Sequence, residues 1–233
     1  MPRSTKHDIW SLVETVLSHS PRSILFGPPG TGKTHSALKK GLRSANQKIH
    51  TVTLTEESVA SDMRGTFLPK GQEFVWHDGP AIRALRHGDR LVINEVDHAS
   101  PDVWSFLLAM LDDFDMIAET LPSGETIHAK AGYHVVATMN GKPEDLPEAL
   151  ADRFTVRLPI DKPNPEAFLA LPEHLRQVAE ATSTKTDKQR IGLRSWITFA
   201  ELQGTIDNEA AARAVFGERW EAVLDSLDAK ASA

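Results

Sequence analysis

The segment Gly27-Pro28-Pro29-Gly30-Thr31-Gly32-Lys33-Thr34 has the spacing G-x-x-x-x-G-K-[ST]. Glycines at these positions let the backbone curl until its N–H groups converge. The head of a following helix adds its positive dipole end, so the segment suits phosphate oxygens. Lys33 supplies a point charge for the terminal phosphates, and the Thr34 hydroxyl is an oxygen ligand for Mg2+. Further along, Leu91-Val-Ile-Asn94-Glu95 reads as a strand closed by two polar side chains. Phosphoryl-transfer folds place a metal-linked carboxylate and a water-polarising group at such a strand end. Glu95 fits the second role. Asn94 stands where the first would be Asp, and it offers Mg2+ a neutral carbonyl oxygen, which weakens metal affinity or slows hydrolysis. The competing readings are a Gly-rich turn for the loop and a buried strand ending in a polar turn for Asn94-Glu95.

Such chemistry requires a strand before the loop and a helix after it. Apolar, β-branched segments at 23–26, 49–54, 90–94, 133–138 and 155–158 read as strands. Helical patterns cover 33–42, 80–87, 101–114 and 147–152, with Ser100 as N-cap, Pro101 at a first helical position and Gly88 as a stop. Ahead of them Ile9, Leu12, Val13, Val16 and Leu17 form one helical stripe that Asp8 is placed to cap. Strands alternating with helices predict a mainly parallel sheet covered on both faces. Segments 67–76 and 121–130 carry Gly-containing turns and read as hairpin insertions. Beyond Pro159 the prolines thicken and the pattern becomes helical, with Leu175/Val178/Ala179, Leu193/Ile197/Leu202 and Ala211/Val215/Trp220 as its apolar sets. The expected division is an α/β nucleotide-binding domain over 1–162 and a small all-α domain over 163–233. At about 70 residues the second is small for independent folding.

The phosphate loop, the segment Asn94-Glu-Val-Asp-His-Ala99, Ala137-Thr-Met-Asn140 and Ala151-Asp-Arg-Phe154 together resemble the AAA+ ATPases, and more narrowly their MoxR and dynein-related branch. Gly79-Pro-Ala-Ile-Arg-Ala-Leu-Arg-His-Gly88 and the two hairpins are similar to that branch as well. The resemblance spans roughly residues 8–225. It implies a P-loop NTPase fold with a parallel five-stranded sheet, a helix-2 insert, a pre-sensor-1 hairpin and a C-terminal helical lid. It also implies ATP as the nucleotide, Mg2+ as the metal, and a hexameric ring of copies. Asn140 becomes the sensor 1 residue and Arg153 the arginine finger that reaches a neighbouring copy's nucleotide. Arg194 becomes sensor 2, in preference to nearby Arg190. Hydrolysis in such a ring remodels a client protein, and the resemblance points to a partner with a von Willebrand factor A domain. Met63-Arg-Gly65, Phe67 and Trp76 become candidates for touching that partner. The alternative for Phe67, Phe74 and Trp76 is a local cluster holding the hairpin together.

Composition narrows the field. With 26 Lys+Arg against 32 Asp+Glu the net charge is −6, which does not favour nucleic acid or anionic lipid as a partner. The chain has no Cys, which excludes disulfides, thiol catalysis and Cys-ligated metals, and its ten His form no H-E-x-x-H spacing, so no zinc site is expected. No apolar run approaches the ~20 residues of a membrane span, and the expected location is the cytoplasm. Trp104, Phe106, Leu107, Leu108 and Leu111 read as core, and Lys39, Lys40 and Arg43 as a solvated helix end. Two other functions stay open. One is a nucleotide-gated binding module with slow hydrolysis, suggested by Asn94. The other is a GTP-using nucleic-acid motor resembling the restriction ATPases, which the charge disfavours.

Overall fold

A computed structural model describes residues 9–185 and 189–231. Asp8, the expected cap of the first helix, lies outside the described residues. The chain forms two units: residues up to Gly27 with Lys33–Pro159, and Pro28–Gly32 with residues from Ile160 onward.

The first unit contains, in order, α1 (Ile9–His19), β1 (Arg22–Phe26), α2 (Lys33–Lys39), β2 (Ile49–Thr53), α3 (Ala60–Arg64), β3 (Gly65–Lys70), β4 (Glu73–Asp78), α4 (Pro80–His87), β5 (Arg90–Asn94), α5 (Pro101–Met110), β6 (Ala118–Thr120), β7 (Thr126–His128), β8 (His134–Met139), α6 (Glu148–Arg153) and β9 (Val156–Pro159). Five strands make one sheet in the order β2-β5-β8-β1-β9, and every pair is parallel. Strands β5 and β8 are buried along their whole length, as centre strands covered on both faces must be. Ile24, Leu91, Ile93, Val135 and Ala137 from the sheet pack with Leu85, Val103, Leu107 and Leu150 from the helices in one core. Trp104, Phe106 and Leu108 pack against it, in line with their reading as core residues.

Several local expectations shift. Helix α2 stops at Lys39 rather than 42, and Gly41 takes a left-handed φ of 62° just beyond it. Helix α5 stops at Met110 rather than 114, because Arg22 draws the Leu111 carbonyl (2.6 Å) and the Asp113 carboxylate (3.2 Å) to the start of β1. The second hairpin begins at Ala118, and Leu121–Glu125 is its turn rather than one of its flanks. Pro122 has no N–H to give a ladder there. Met63, a candidate partner contact, is fully buried in the core, and Gly65 is buried as well. Arg43 is no solvated helix end: it donates to the carbonyls of Ser18 (3.1 Å) and Ser20 (2.9 Å), and burial lowers its proton affinity.

In the first hairpin Phe67 meets Trp76 edge-on at 5.3 Å, whereas Phe74 is exposed. Two arginines join the hairpins. Arg64 pairs with Glu119 at 2.5 Å, and Arg86 joins Asp78 (2.9 Å) to Glu125 (2.6 Å).

The second unit carries α7 (Glu173–Ser183), α8 (Leu193–Gln203), α9 (Asn208–Phe216) and α10 (Trp220–Ala231). Its core centres on Trp196, Phe199 and Phe216, with Phe199 and Trp196 each 5.0 Å from Phe216. Leu175, Leu171 and Ala211 surround them. Ile197, expected in the apolar stripe, is instead exposed. Among the described residues no helix is long and apolar enough to cross a membrane.

Candidate active site

Parallel register brings the chemically active segments together. Phe26 lies opposite Met139, and Ile93 opposite Ala137, so the residues that follow β1, β5 and β8 emerge side by side at the C-terminal edge of the sheet. Ligands of open α/β sheets bind at that edge. Gly27, Asn94-Glu95 and Asn140 all stand there.

The phosphate loop turns through positive φ at Gly27 (132°), Gly30 (77°) and Gly32 (94°), values that a side chain would resist. The Thr31 hydroxyl closes it by donating to the Pro28 carbonyl at 3.0 Å. Lys33 is buried, and its ammonium donates to the Gly27 carbonyl (2.8 Å) and to Asn140 Oδ1 (3.0 Å). The other end of the same amide, Asn140 Nδ2, donates to Glu95 Oε2 at 2.6 Å. Lys33, Asn140 and Glu95 therefore form one continuous polar chain from the phosphate loop to the end of β5. The Asn140 amide is thus engaged at both of its ends.

Glu95 is the one non-glycine among the described residues with positive φ (57°, ψ 48°). A left-handed backbone costs a side-chain-bearing residue about 1–2 kcal/mol, and such outliers concentrate where function over-determines geometry. The strain falls where β5 passes into the short 3-10 turn Val96–His98. Asn94 is buried, and its Oδ1 accepts from the Thr138 hydroxyl at 3.1 Å. That bond fixes the amide orientation and leaves the oxygen a second lone pair. Thr34 is exposed in the first turn of α2. Glu95, Asp97 and His98 bring ligand atoms within 4.8 Å of one another.

In the second unit, a Cβ on Gly30 would lie 3.5 Å from the Cα of Gly192, the N-cap of α8. Arg194 follows in the first turn of α8, exposed.

Arg153 sits elsewhere. It ends α6, ahead of β9, whose Val156 pairs with Ser23 near the start of β1. The loop of its own chain begins beyond the other end of β1. At about 3.3 Å per residue, the strand between them separates the two by roughly 13 Å. Its partner is Asp112 (2.6 Å), not the adjacent Asp152, which pairs with Arg157 at 3.6 Å.

At the same N-terminal edge, Arg90 is fully buried, and its hydrogen bonds go to carbonyls and an imidazole. Its Nη1 donates to the carbonyls of Ala37 (2.8 Å) and Lys40 (2.7 Å), its Nη2 to that of Gly41, and its Nε to His134 Nε2 at 2.7 Å. It thus closes the far end of the helix that begins at Lys33, where the helix dipole is negative. Burial lowers the Arg90 pKa to about 10, with neighbouring Arg43 adding to the fall. Burial likewise depresses His134 to about 4, with Arg90 and Arg43 contributing, although its bond to the Gly132 carbonyl acts the other way. His134 is the neutral tautomer that donates from Nδ1 to Gly132 and accepts at Nε2. Sequence reading missed this clamp and Thr138. The available signal was a polar residue at matching positions of two otherwise apolar strands.

The AAA domain (dynein-related subfamily) model matches residues 22–154. The chain belongs to this family. The AAA match runs from the first residue of β1 to the residue after α6, and so includes the loop, Asn94-Glu95, Asn140 and Arg153. NorQ of Paracoccus denitrificans (strain Pd 1222) is 34% identical over 149 residues, covering 61% of this chain and 53% of NorQ. The AAA chain therefore spans about half the length of that relative. Midasin of Dictyostelium discoideum is 32% identical over 160 residues, which are 64% of this chain and 3% of Midasin. The solved structure of NtrX from Brucella abortus in complex with ADP superposes with a TM-score of 0.60 at 18% identity, over 86% of this chain and 50% of NtrX. That likeness is one of fold. The parallel five-stranded P-loop architecture expected from the motifs is the one found.

Proposed function

We propose that this AAA chain hydrolyses ATP with Mg2+ as a subunit of a ring, hexameric as the family resemblance implies, and uses the cycle to remodel a client protein in the cytoplasm. A client with a von Willebrand factor A domain is the partner the resemblance suggests. The observation that carries the reading is the Lys33–Asn140–Glu95 chain at the mouth of the phosphate loop. NtrX, of the same fold, has been solved with ADP and with ATP.

The loop N–H groups and Lys33 hold the β- and γ-phosphates, and Lys33 exchanges its carbonyl and amide partners for phosphate oxygens. Glu95 then accepts a proton from the attacking water, and Asn140, bonded to Glu95, holds the water or γ-phosphate in line. The donor set fits the metal: the Thr34 hydroxyl and the Asn94 amide are the hard oxygens Mg2+ takes beside phosphate, and bound there it would offset phosphate charge. Arg153 serves the nucleotide of the adjacent copy, since its place at the opposite strand ends keeps it from its own. Arg194 acts as sensor 2 on the helical unit.

The experiment is Glu95→Gln in the full chain. ATP affinity by calorimetry should stay within about threefold of wild type, while turnover falls about 10³-fold, a loss within the general-base range. Unchanged hydrolysis would refute the assignment. The neutral Asn94 favours a second reading, a nucleotide-gated binding module, which predicts assembly on ATP binding with negligible turnover in the wild type. Competition of GTP against ATP in the same titration tests the choice of base.

A further inference from the structure

We propose that Asp112 is a positioning residue that presents the Arg153 guanidinium to the nucleotide of an adjacent copy. The inference rests on the reading of Arg153 as a finger acting in trans.

Asp112 follows the end of α5, and its Oδ1 accepts from Arg153 Nη1 at 2.6 Å. The same oxygen accepts the backbone N–H of Asp113 at 2.8 Å, which holds the carboxylate in one orientation. The segment beneath is anchored in turn: Arg22, the first residue of β1, holds the Leu111 carbonyl at 2.6 Å and the Asp113 carboxylate at 3.2 Å. Asp112 therefore stands on a rigid base tied to the sheet.

Arg153 is engaged through one terminal nitrogen, its only hydrogen bond among the described residues. Its Nη2 and Nε remain for an incoming anion. A contact serving to store the guanidinium would use the bidentate fork that arginine and carboxylate make readily. Side-chain exposures of 36% and 33% mean water screens the pair, so it adds little to stability. Its effect is to restrict a long, rotamer-rich side chain to one direction. Correct placement of a charge that stabilises the transferring phosphoryl group is worth large factors in rate.

The test measures steady-state ATPase and ATP affinity for Asp112→Ala, Asp112→Asn and Arg153→Ala in the full chain. Each is assayed alone and mixed equally with Glu95→Gln subunits, which have an intact finger and no base. Asp112→Ala should hydrolyse at least about tenfold more slowly with ATP affinity unchanged. Asp112→Asn, whose amide oxygen still accepts, should recover most of the rate. In the mixture the Asp112→Ala rate per competent pocket should rise several-fold, because Glu95→Gln neighbours supply positioned fingers. The proposal is overturned if Asp112→Ala matches or exceeds the wild-type rate, if Asp112→Asn is as slow as Asp112→Ala, or if mixing restores Arg153→Ala but not Asp112→Ala. Arg153→Ala that keeps full activity, or that mixing leaves unrestored, refutes the finger assignment itself and the Asp112 role with it. Where Asp112→Ala fails to fold, Asp112→Leu, similar in size and without an acceptor, takes its place under the same criteria.

Discussion

At the C-terminal ends of the central strands, buried Lys33 donates to the Gly27 carbonyl and the Asn140 amide oxygen; at their N-terminal ends, buried Arg90 donates to three carbonyls in and just beyond the last turn of α2 and to a neutral imidazole. Both cations lie on the course of the same helix, α2, one at its head and one beyond its tail. The carbonyl and amide that hold Lys33 are neutral acceptors whose place phosphate oxygens can take. The bonds from Arg90 close the end of a helix, and no ligand offers a substitute. A buried charge with exchangeable partners suits binding, whereas a buried charge whose partners are backbone suits anchorage. On this view the N-terminal edge anchors the end of α2, while the C-terminal edge presents groups free to change partners.

The harshest break of that contrast is Arg90→Met, which keeps the volume apolar but leaves the carbonyls of Ala37, Lys40 and Gly41 without a donor. It should cost about 3–5 kcal/mol in urea denaturation, and Arg90→Lys should recover little, since a point ammonium cannot span the three carbonyls. An unshifted midpoint would show that the far edge is no anchor.

Protonating His134 attacks the same clamp. Its native pKa of about 4 lies below the ordinary value of 6.5, so between these values the unfolded chain binds more protons than the native one. The stability it contributes is complete above pH 6.5, declines as pH falls toward 4, and amounts to about 3 kcal/mol in all. Denaturation midpoints measured across that window should fall, and His134→Asn should flatten this part of the profile. A wild-type profile already flat there would remove the neutral imidazole from the account.

The mildest test concerns strain at the chemical edge. Glu95→Gly and Glu95→Ala lose the same carboxylate and the same bond to Asn140. At a left-handed φ, glycine should be the more stable by about 1 kcal/mol, the reverse of its usual standing against alanine. Equal stability would mean the backbone relaxes and the site stores nothing.

Much of this architecture was legible beforehand because it is written locally. The loop spacing, the apolar strand segments, Ser100 before Pro101 and Gly88 after His87 each act within a few residues. Other features escaped because distant chain decides them. Helix α5 ends early because Arg22 takes its terminal groups, and Arg43 turns inward because the carbonyls at the end of α1 receive it. The second hairpin's shift to Ala118 has instead a local cause, since Pro122 and Gly124 suit a turn better than a ladder. Ile197 matches an apolar stripe by type, yet its neighbours Trp196 and Phe199 fill the helical core without it.

Residue type and short spacing by themselves determined that this chain carries a phosphate loop on a parallel sheet, because backbone curvature and strand burial are local demands. Only the tertiary structure decided that the Asn140 amide joins Lys33 to Glu95, that Arg153 faces Asp112 at the opposite strand ends, and that Arg90 meets His134. Those pairs span many tens of residues, and strand order, which short-range preference does not encode, sets which side chains share an edge.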